Sequence, residues 1–335
     1  MRLSWLGTLG GLEIGGLESR AYGVALVAPV VVGWSYDASG KKRAFRWENG
    51  EMKDLGTLGG DESAAYAVSA SGEVVVGWAC DGSGRKRAFR WQSGKMQDLG
   101  TLGGDESAAY GISANGDVVV GWAEDHNKRR RAFYWQGGDM YDLGTLGGDN
   151  SEAYGVSADG RVIVGWAEDV AGRRRAFCWT TVYTDFGSML DILNLGTLPE
   201  YDDHSVAWGV SENGGIVVGY AQNASGCPCA FRWNEKDGMG YLDLPRSGSQ
   251  AYGVSRNGRL IVGVFDGRAV IWKPKDKGEN LEMHKLNTWV SSNLARFSRL
   301  EVARAISLAE YSYYIVGWGY NSSTRRTEAF LLQQG

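Results

Sequence analysis

The residues best equipped for chemistry in this chain are charged, and they recur. Basic triplets stand at Lys41-Lys42-Arg43, Arg85-Lys86-Arg87, Arg129-Arg130-Arg131 and Arg173-Arg174-Arg175. Acidic groups follow at Asp61-Glu62, Asp105-Glu106 and Asp149, with Glu18 ahead of them all. A guanidinium presents a planar fork that grips carboxylate or phosphate, so an arginine rim can clamp an anionic partner. Loop carboxylates such as Asp61, Asp105 and Asp202 can serve instead as acid and base in an enzyme acting on polysaccharide. The bland alternative is a belt of surface ion pairs, each worth about 0–1 kcal/mol. Asp202-Asp203-His204 has donors for a metal ion but also reads as an exposed polar turn. Cys227 and Cys229 flank Pro228, while Cys80 and Cys178 stand alone. With no second close pair of ligands, the expectation is no metal site and no cofactor.

These groups sit inside a repeat. DLGTLGGDESAAY occurs at 54–66 and again at 98–110, with a near copy, DLGTLGGDNSEAY, at 142–154. Self-alignment yields seven units of four phrases. An A-Y-G-V-S phrase begins at Ala21, Ala65, Ala109, Ala153, Ala207, Ala251 and Ala303. A V-G-W phrase ends at Trp34, Trp78, Trp122, Trp166, Tyr220, Val264 and Trp318. An A-F-x-W phrase starts at Ala44, Ala88, Ala132, Ala176, Ala230, Ala269 and Ala329. An x-L-G phrase stands at Leu6, Leu55, Leu99, Leu143, Leu195 and Leu242, with a relic at Leu286. Each phrase is short, apolar and rich in β-branched or aromatic residues, as strands are. Ser71-Gly72, Asn115-Gly116 and Asn49-Gly50 are among the joints, and such pairs supply the positive φ of two-residue hairpin turns.

A period in the forties with four strands per unit predicts propeller blades, and seven units predict a seven-bladed all-β propeller of four-stranded antiparallel blades. The units fall near 8–55, 56–99, 100–143, 144–195, 196–244, 245–286 and 287–335, in a single domain over 1–335. The chain begins with a fourth phrase and ends after a third. The N-terminal strand, residues 1–7, is therefore expected to complete the last blade and close the ring. L-G-T-L-G-G then carries each blade's outer strand back to the next innermost one. A serine two positions before the recurrent Ala (Ser19, Ser63, Ser107, Ser151, Ser205, Ser249) is expected to bond backbone groups in that turn.

In these phrases the chain resembles the HAF-repeat family, whose units read approximately D-L-G-T-L-G-G, S-x-A-x-G-I-N, V-V-G and A-F-x-W. The likeness is strong in units one to four, looser in five and six, and weak in seven. Ser69, Ser113 and Ser157 replace the family's Asn. The resemblance implies a propeller-like repeat and an extracellular setting, and it carries over no catalytic residue.

Composition narrows the partner. A net charge of −4 gives no unbalanced stripe for nucleic acid. No apolar run approaches the roughly 18 residues of a membrane span, and MRLSWLGTLGG lacks an apolar stretch of signal-peptide length, which taken alone points to the cytoplasm. The recurrent Trp and Phe are expected in the blade interfaces. Innermost strands are read as Ala, Tyr, Gly, Val and Ser, with no carboxylate or His, and with Arg304 the single aberrant residue. Two insertions, 180–193 and 287–300, break the regularity. In the second, Val290, Leu294 and Phe297 recur at helical spacing and predict a short amphipathic helix. The expected function is non-catalytic binding or scaffolding by a monomer that meets a protein or a glycan on its loop face. Candidate contacts there are Asp61, Glu62, Arg87, Asp105, Glu106, Arg131, Asp149, Arg175, Asp202, His204, Trp289 and Phe297.

Overall fold

The computed structural model describes the chain apart from residues 11–17, 185–186, 243–247, 276–280, 291–293, 297, 309–311 and 335, and gives backbone alone over the rest of 181–191. The strands form seven antiparallel sheets of four, the blades of a propeller. Blade two is representative: Gly59–Val68 lines the channel, and Val74–Asp81, Lys86–Gln92 and Lys95–Asp98 follow outward. Blade seven takes Arg299–Leu308, Tyr313–Asn321 and Arg326–Gln334 from the C-terminus and Arg2–Trp5 from the N-terminus. The register there runs from Arg2 opposite Gln333 to Trp5 opposite Phe330, so the ring is fastened as the phrase order requires.

Apolar layers between blades supply the core. Val32, Ala44 and Leu55 of blade one meet Ala65, Val75, Ala79 and Phe89 of blade two. The Phe of each A-F phrase (Phe45, Phe89, Phe133, Phe177, Phe231, Phe330) is fully buried. Each such ring contributes about 4–6 kcal/mol gross, as an upper figure for roughly 150–250 Å² at about 25 cal/mol/Å².

One irregularity recurs in all seven innermost strands. Register slips between Ala65 and Ala67, leaving Tyr66 as the extra residue of a β-bulge. The same slip singles out Tyr22, Tyr110, Tyr154, Trp208, Tyr252 and Arg304. A bulge bends its strand and re-aims the extra side chain. The glycine of V-G-W sits opposite the bulge because nothing else fits. At Gly33 a Cβ would lie 2.0 Å from the carbonyl oxygen of Arg20.

The inner and outer hairpins differ, which corrects the expectation of two-residue turns at both. In blades one to three the outer hairpins have both central residues at positive φ, as at Asn49 (52°) and Gly50 (89°), whereas the outer hairpin of blade five has only Gly238 there. Inner hairpins are four-residue loops closed by Ser69 N–H to the Val74 carbonyl, and only Gly72 is at positive φ. The Ser69 hydroxyl accepts the Val74 amide at 3.1 Å, which holds the longer loop without a second positive φ. The second insertion also differs from expectation. Its helix is Leu286–Trp289, whereas Val290 and Leu294 sit at bends and Arg296 in a turn. Val290 is fully buried and Leu294 packs beside it against the ring, so burial rather than a helical face explains their spacing. Phe297 lies outside the described residues.

Candidate binding sites on the loop face and in the channel

The basic triplets and the acidic turns share one face of the ring, as the alternating strand directions require. Each position of the triplet has its own task. The first residue reaches the acidic turn of the next blade: Lys41 pairs with Asp61 at 2.6 Å, Arg85 with Asp105 at 3.6 Å and Arg129 with Asp149 at 3.3 Å. The second lies over the blade's own tryptophan, at 4.5 Å for Lys42 on Trp34 and 4.3 Å for Arg130 on Trp122. The third joins blades. Arg87 pairs with Asp98 at 3.0 Å and donates to the Asp105 carbonyl at 3.1 Å, and Arg131 treats Asp142 and the Asp149 carbonyl alike. In blade four, Asn194 replaces that outer-strand aspartate, and Arg175 turns to Asp169 at 3.2 Å while donating to the Asp202 carbonyl. Burial raises the Asp169 pKa, but the amides of Arg173 and Ala171 and the guanidinium of Arg175 outweigh it, holding the carboxyl at about 2.

The candidate contacts on this face therefore fall into groups. Arg87, Arg131 and Arg175 are committed to neighbouring blades. Asp61, Asp105 and Asp149 are exposed but ion-paired, Asp105 also with Lys128. The Glu106 amide is bound by Glu124 at 3.2 Å, and Glu62 is exposed. Asp202 is exposed, while His204 accepts the Arg174 amide at 3.3 Å and lies 3.7 Å from Asp203. No group of ligands suited to a metal ion occurs among the described residues, and none of the four cysteines is in a disulfide. Trp289 is half-buried beside His284 and beneath Lys273.

Under this face, the serines do more than close a turn. Ser63 Oγ donates to the Gly56 carbonyl at 2.6 Å and accepts the Ala44 amide of the preceding blade at 2.9 Å. Ser107, Ser151 and Ser205 repeat the pair of bonds.

The channel contains the second candidate site. The seven bulge residues form a closed belt, with Tyr22, Tyr66, Tyr110 and Tyr154 in successive contact at centroid separations of 5.0, 5.1 and 5.2 Å. Trp208 stacks on Tyr154 at 4.1 Å and meets Tyr252 at 5.8 Å. Arg304 completes the belt, its guanidinium 4.3 Å from the Trp208 ring, 4.4 Å from Tyr252 and 5.8 Å from Tyr22. The belt and the residues beyond it, Val24, Val68, Ile112, Val156, Val210, Val254 and Ile306, line a cavity of about 430 Å³. On the other side of the belt, Trp78, Trp122 and Trp166 each donate Nε1 to a tyrosine hydroxyl at 3.0–3.2 Å. Burial pulls the Arg304 pKa below its ordinary value, against the tyrosines around it.

The expectation of innermost strands without a carboxylate or His needs correction. The innermost strands of blades two and three include Asp61, Glu62, Asp105 and Glu106, and that of blade five begins at His204. That of blade four, Gly147–Val156, includes Asp149 and Glu152. Among the described residues, the Glu152 carboxylate is the one that reaches the belt. That side chain is buried, pairs with Arg130 at 2.9 Å and accepts from the Tyr154 hydroxyl at 2.8 Å. It stands where blades two and three have Ala64 and Ala108, so its place was visible once the inner strand was traced past the A-Y phrase.

The chain is a seven-bladed β-propeller, and a β-propeller domain is among the solved structures it is similar to. It is similar to the β-propeller domain of the Trilobed protease from Pyrococcus furiosus (11% identity, 94% of this chain, 97% of that one, TM-score 0.54). It is also similar to a puromycin-hydrolyzing peptidase from Mycobacterium tuberculosis (12% identity, 97% and 55%, TM-score 0.54). A third similar structure is TolB from Acinetobacter baumannii (12% identity, 79% and 62%, TM-score 0.50). This chain thus spans about half of the peptidase and about three fifths of TolB. No protein-family model matches the chain, and no curated protein matches it. No helix among the described residues is long and apolar enough to cross a membrane.

Proposed function

We propose that the protein is a non-catalytic binding or scaffolding propeller of the HAF-repeat kind, meeting a protein or a glycan on its loop face. The observation that carries this reading is the commitment of the regular rim. Arg87, Arg131 and Arg175 hold neighbouring blades, and Asp61 and Asp105 are neutralised by Lys41 and Lys128. Carboxylates so paired are poor acids or bases for polysaccharide cleavage, and near-identical blades offer no single asymmetric group of the kind catalysis needs. Recognition then falls to the irregular part of the face, at Asp202, His204 and Trp289.

A glycan array and a pull-down from the source cell would supply the partner, and two variants would locate its site. Arg87→Gln/Arg131→Gln, which leaves the Arg175 bond to the Asp202 carbonyl in place, is expected to leave affinity unchanged. Asp202→Ala/His204→Ala is expected to weaken it at least tenfold without moving the melting midpoint by more than a few degrees. Loss in the arginine variant alone would place recognition on the regular rim. Turnover of a polysaccharide abolished by Asp202→Ala would instead favour an enzyme.

A further inference from the structure

We propose that the central channel is a binding site for a small organic monocarboxylate carried on a flat body, with Arg304 as its anion anchor. This stands apart from the loop-face reading and shares no residue with it. Six of the seven bulge positions hold an aromatic ring, and the seventh holds a cation. Arg304 has no carboxylate or carbonyl partner among the described residues; its neighbours are the rings of Trp208, Tyr252 and Tyr22. Ring contact supplies no acceptor oxygen for the guanidinium N–H donors, and those donors match the two oxygens of a carboxylate.

The remaining walls define the rest of the ligand. Tyrosine and tryptophan faces offer stacking surface, and a Val and Ile tier beyond them is apolar. About 430 Å³ suits a small molecule and no folded partner. One cation at the belt, with Glu152 hydrogen-bonded to its Tyr154, favours a single negative charge over a phosphate dianion. A further donor in this lining, Trp208 Nε1, is buried without an acceptor among the described residues.

Calorimetric titration of the full chain with benzoate, benzamide and inorganic phosphate tests the assignment. Benzoate is expected to bind one per chain, with benzamide and phosphate at least tenfold weaker. Arg304→Gln is expected to weaken benzoate at least tenfold. A second variant, Arg304→Tyr, restores the residue of most other blades and removes an uncompensated charge. It is expected to abolish benzoate binding and to raise the melting midpoint. Absence of benzoate binding to the unaltered protein, equal binding by Arg304→Gln, or preference for phosphate would overturn the proposal. So would a lowered midpoint in Arg304→Tyr, which would make Arg304 a structural tie of the belt.

Discussion

Ser19 and Ala329, 310 positions apart in the chain, are joined by a hydrogen bond of 2.9 Å from the Ala329 amide to the Ser19 hydroxyl, which in turn donates to the Gly7 carbonyl at 2.6 Å. The closure of the ring is therefore made twice. The N-terminal strand pairs with the last blade, and Ser19 ties blade one to both.

Removing residues 1–7 is expected to expose the edge strand Arg326–Gln334 and the apolar surface around Phe330 that Leu3 and Trp5 cover. The melting midpoint should fall and the protein should associate, as read by scanning calorimetry and light scattering. A truncated chain that stays monomeric and melts with the full-length one would contradict the fastening.

The inter-blade serines can be weighed singly. Ser107→Ala leaves the buried Ala88 amide without its acceptor, at a cost of about 1–3 kcal/mol, and frees the part-buried Gly100 carbonyl to meet water. Urea unfolding should show a loss in this range. A loss below about 0.5 kcal/mol would mean that water replaces the hydroxyl.

Two glycines of blade one make a matched contrast. Gly33→Ala drives a Cβ against the Arg20 carbonyl at 2.0 Å, whereas Gly23→Ala meets its nearest atoms at 3.1 Å, and blade two already carries Ala67 at that position. Gly33→Ala is expected at or above the top of the roughly 1–3 kcal/mol that overpacking costs, and Gly23→Ala well below it. Equal effects would show that the bulge yields more easily than its backbone contacts imply.

Acid should act on Asp169. Its folded carboxyl is held at about 2, below the unfolded value of about 3.9, so its contribution is complete above that unfolded value and is lost as pH falls through 2. Melting midpoints measured from pH 6 down to 2 should decline most steeply below 4. Asp169→Asn should flatten that decline, and an unchanged profile would remove Asp169 as a source of acid sensitivity.

Thiol reactivity should be graded. Burial pushes Cys178 up to about 12 and also raises Cys80, while Cys229 is fully buried. Cys227 is half-buried in the turn that leads into strand Pro228–Asn234, its amide held by Asn223 at 3.0 Å. A thiol reagent at pH 8 should label Cys227 first and reach Cys178 and Cys229 only on unfolding. Stoichiometric zinc lost in Cys227→Ser would overturn the expectation of no metal.

The fold was legible because it repeats. V-V-G and A-F-x-W recur at a spacing of 44 residues, and closure followed from which phrase came first and which last. The site was less legible. The partner of Ser63 is an amide 19 residues upstream in another blade, which no local motif announces. The triplet Arg85-Lys86-Arg87 looked like one patch of charge, yet its members face an acidic turn, a tryptophan and the neighbouring backbone. Arg304 looked like drift in a weak repeat. Only the bulge at its position shows that the substitution sets a cation inside an aromatic belt.

In blade seven Leu300 takes the register place of the other blades' buried serine, opposite Gly319 as Ser63 is opposite Ala79. Glu301, left over by a further bulge between Leu300 and Val302, pairs with Arg299 at 2.7 Å. What fills the boundary between blades six and seven is apolar: Val262 and Ile271 from blade six, Leu286 and Val290 from the crossing, Leu300 and Ala303 from blade seven. Apolar cohesion weakens on cooling and in urea, whereas charged contacts yield to salt. The ring thus has a compass of weaknesses. Chilling acts on the apolar layers at every boundary, whereas salt acts in addition among the early blades, where ion pairs cross from one blade to the next.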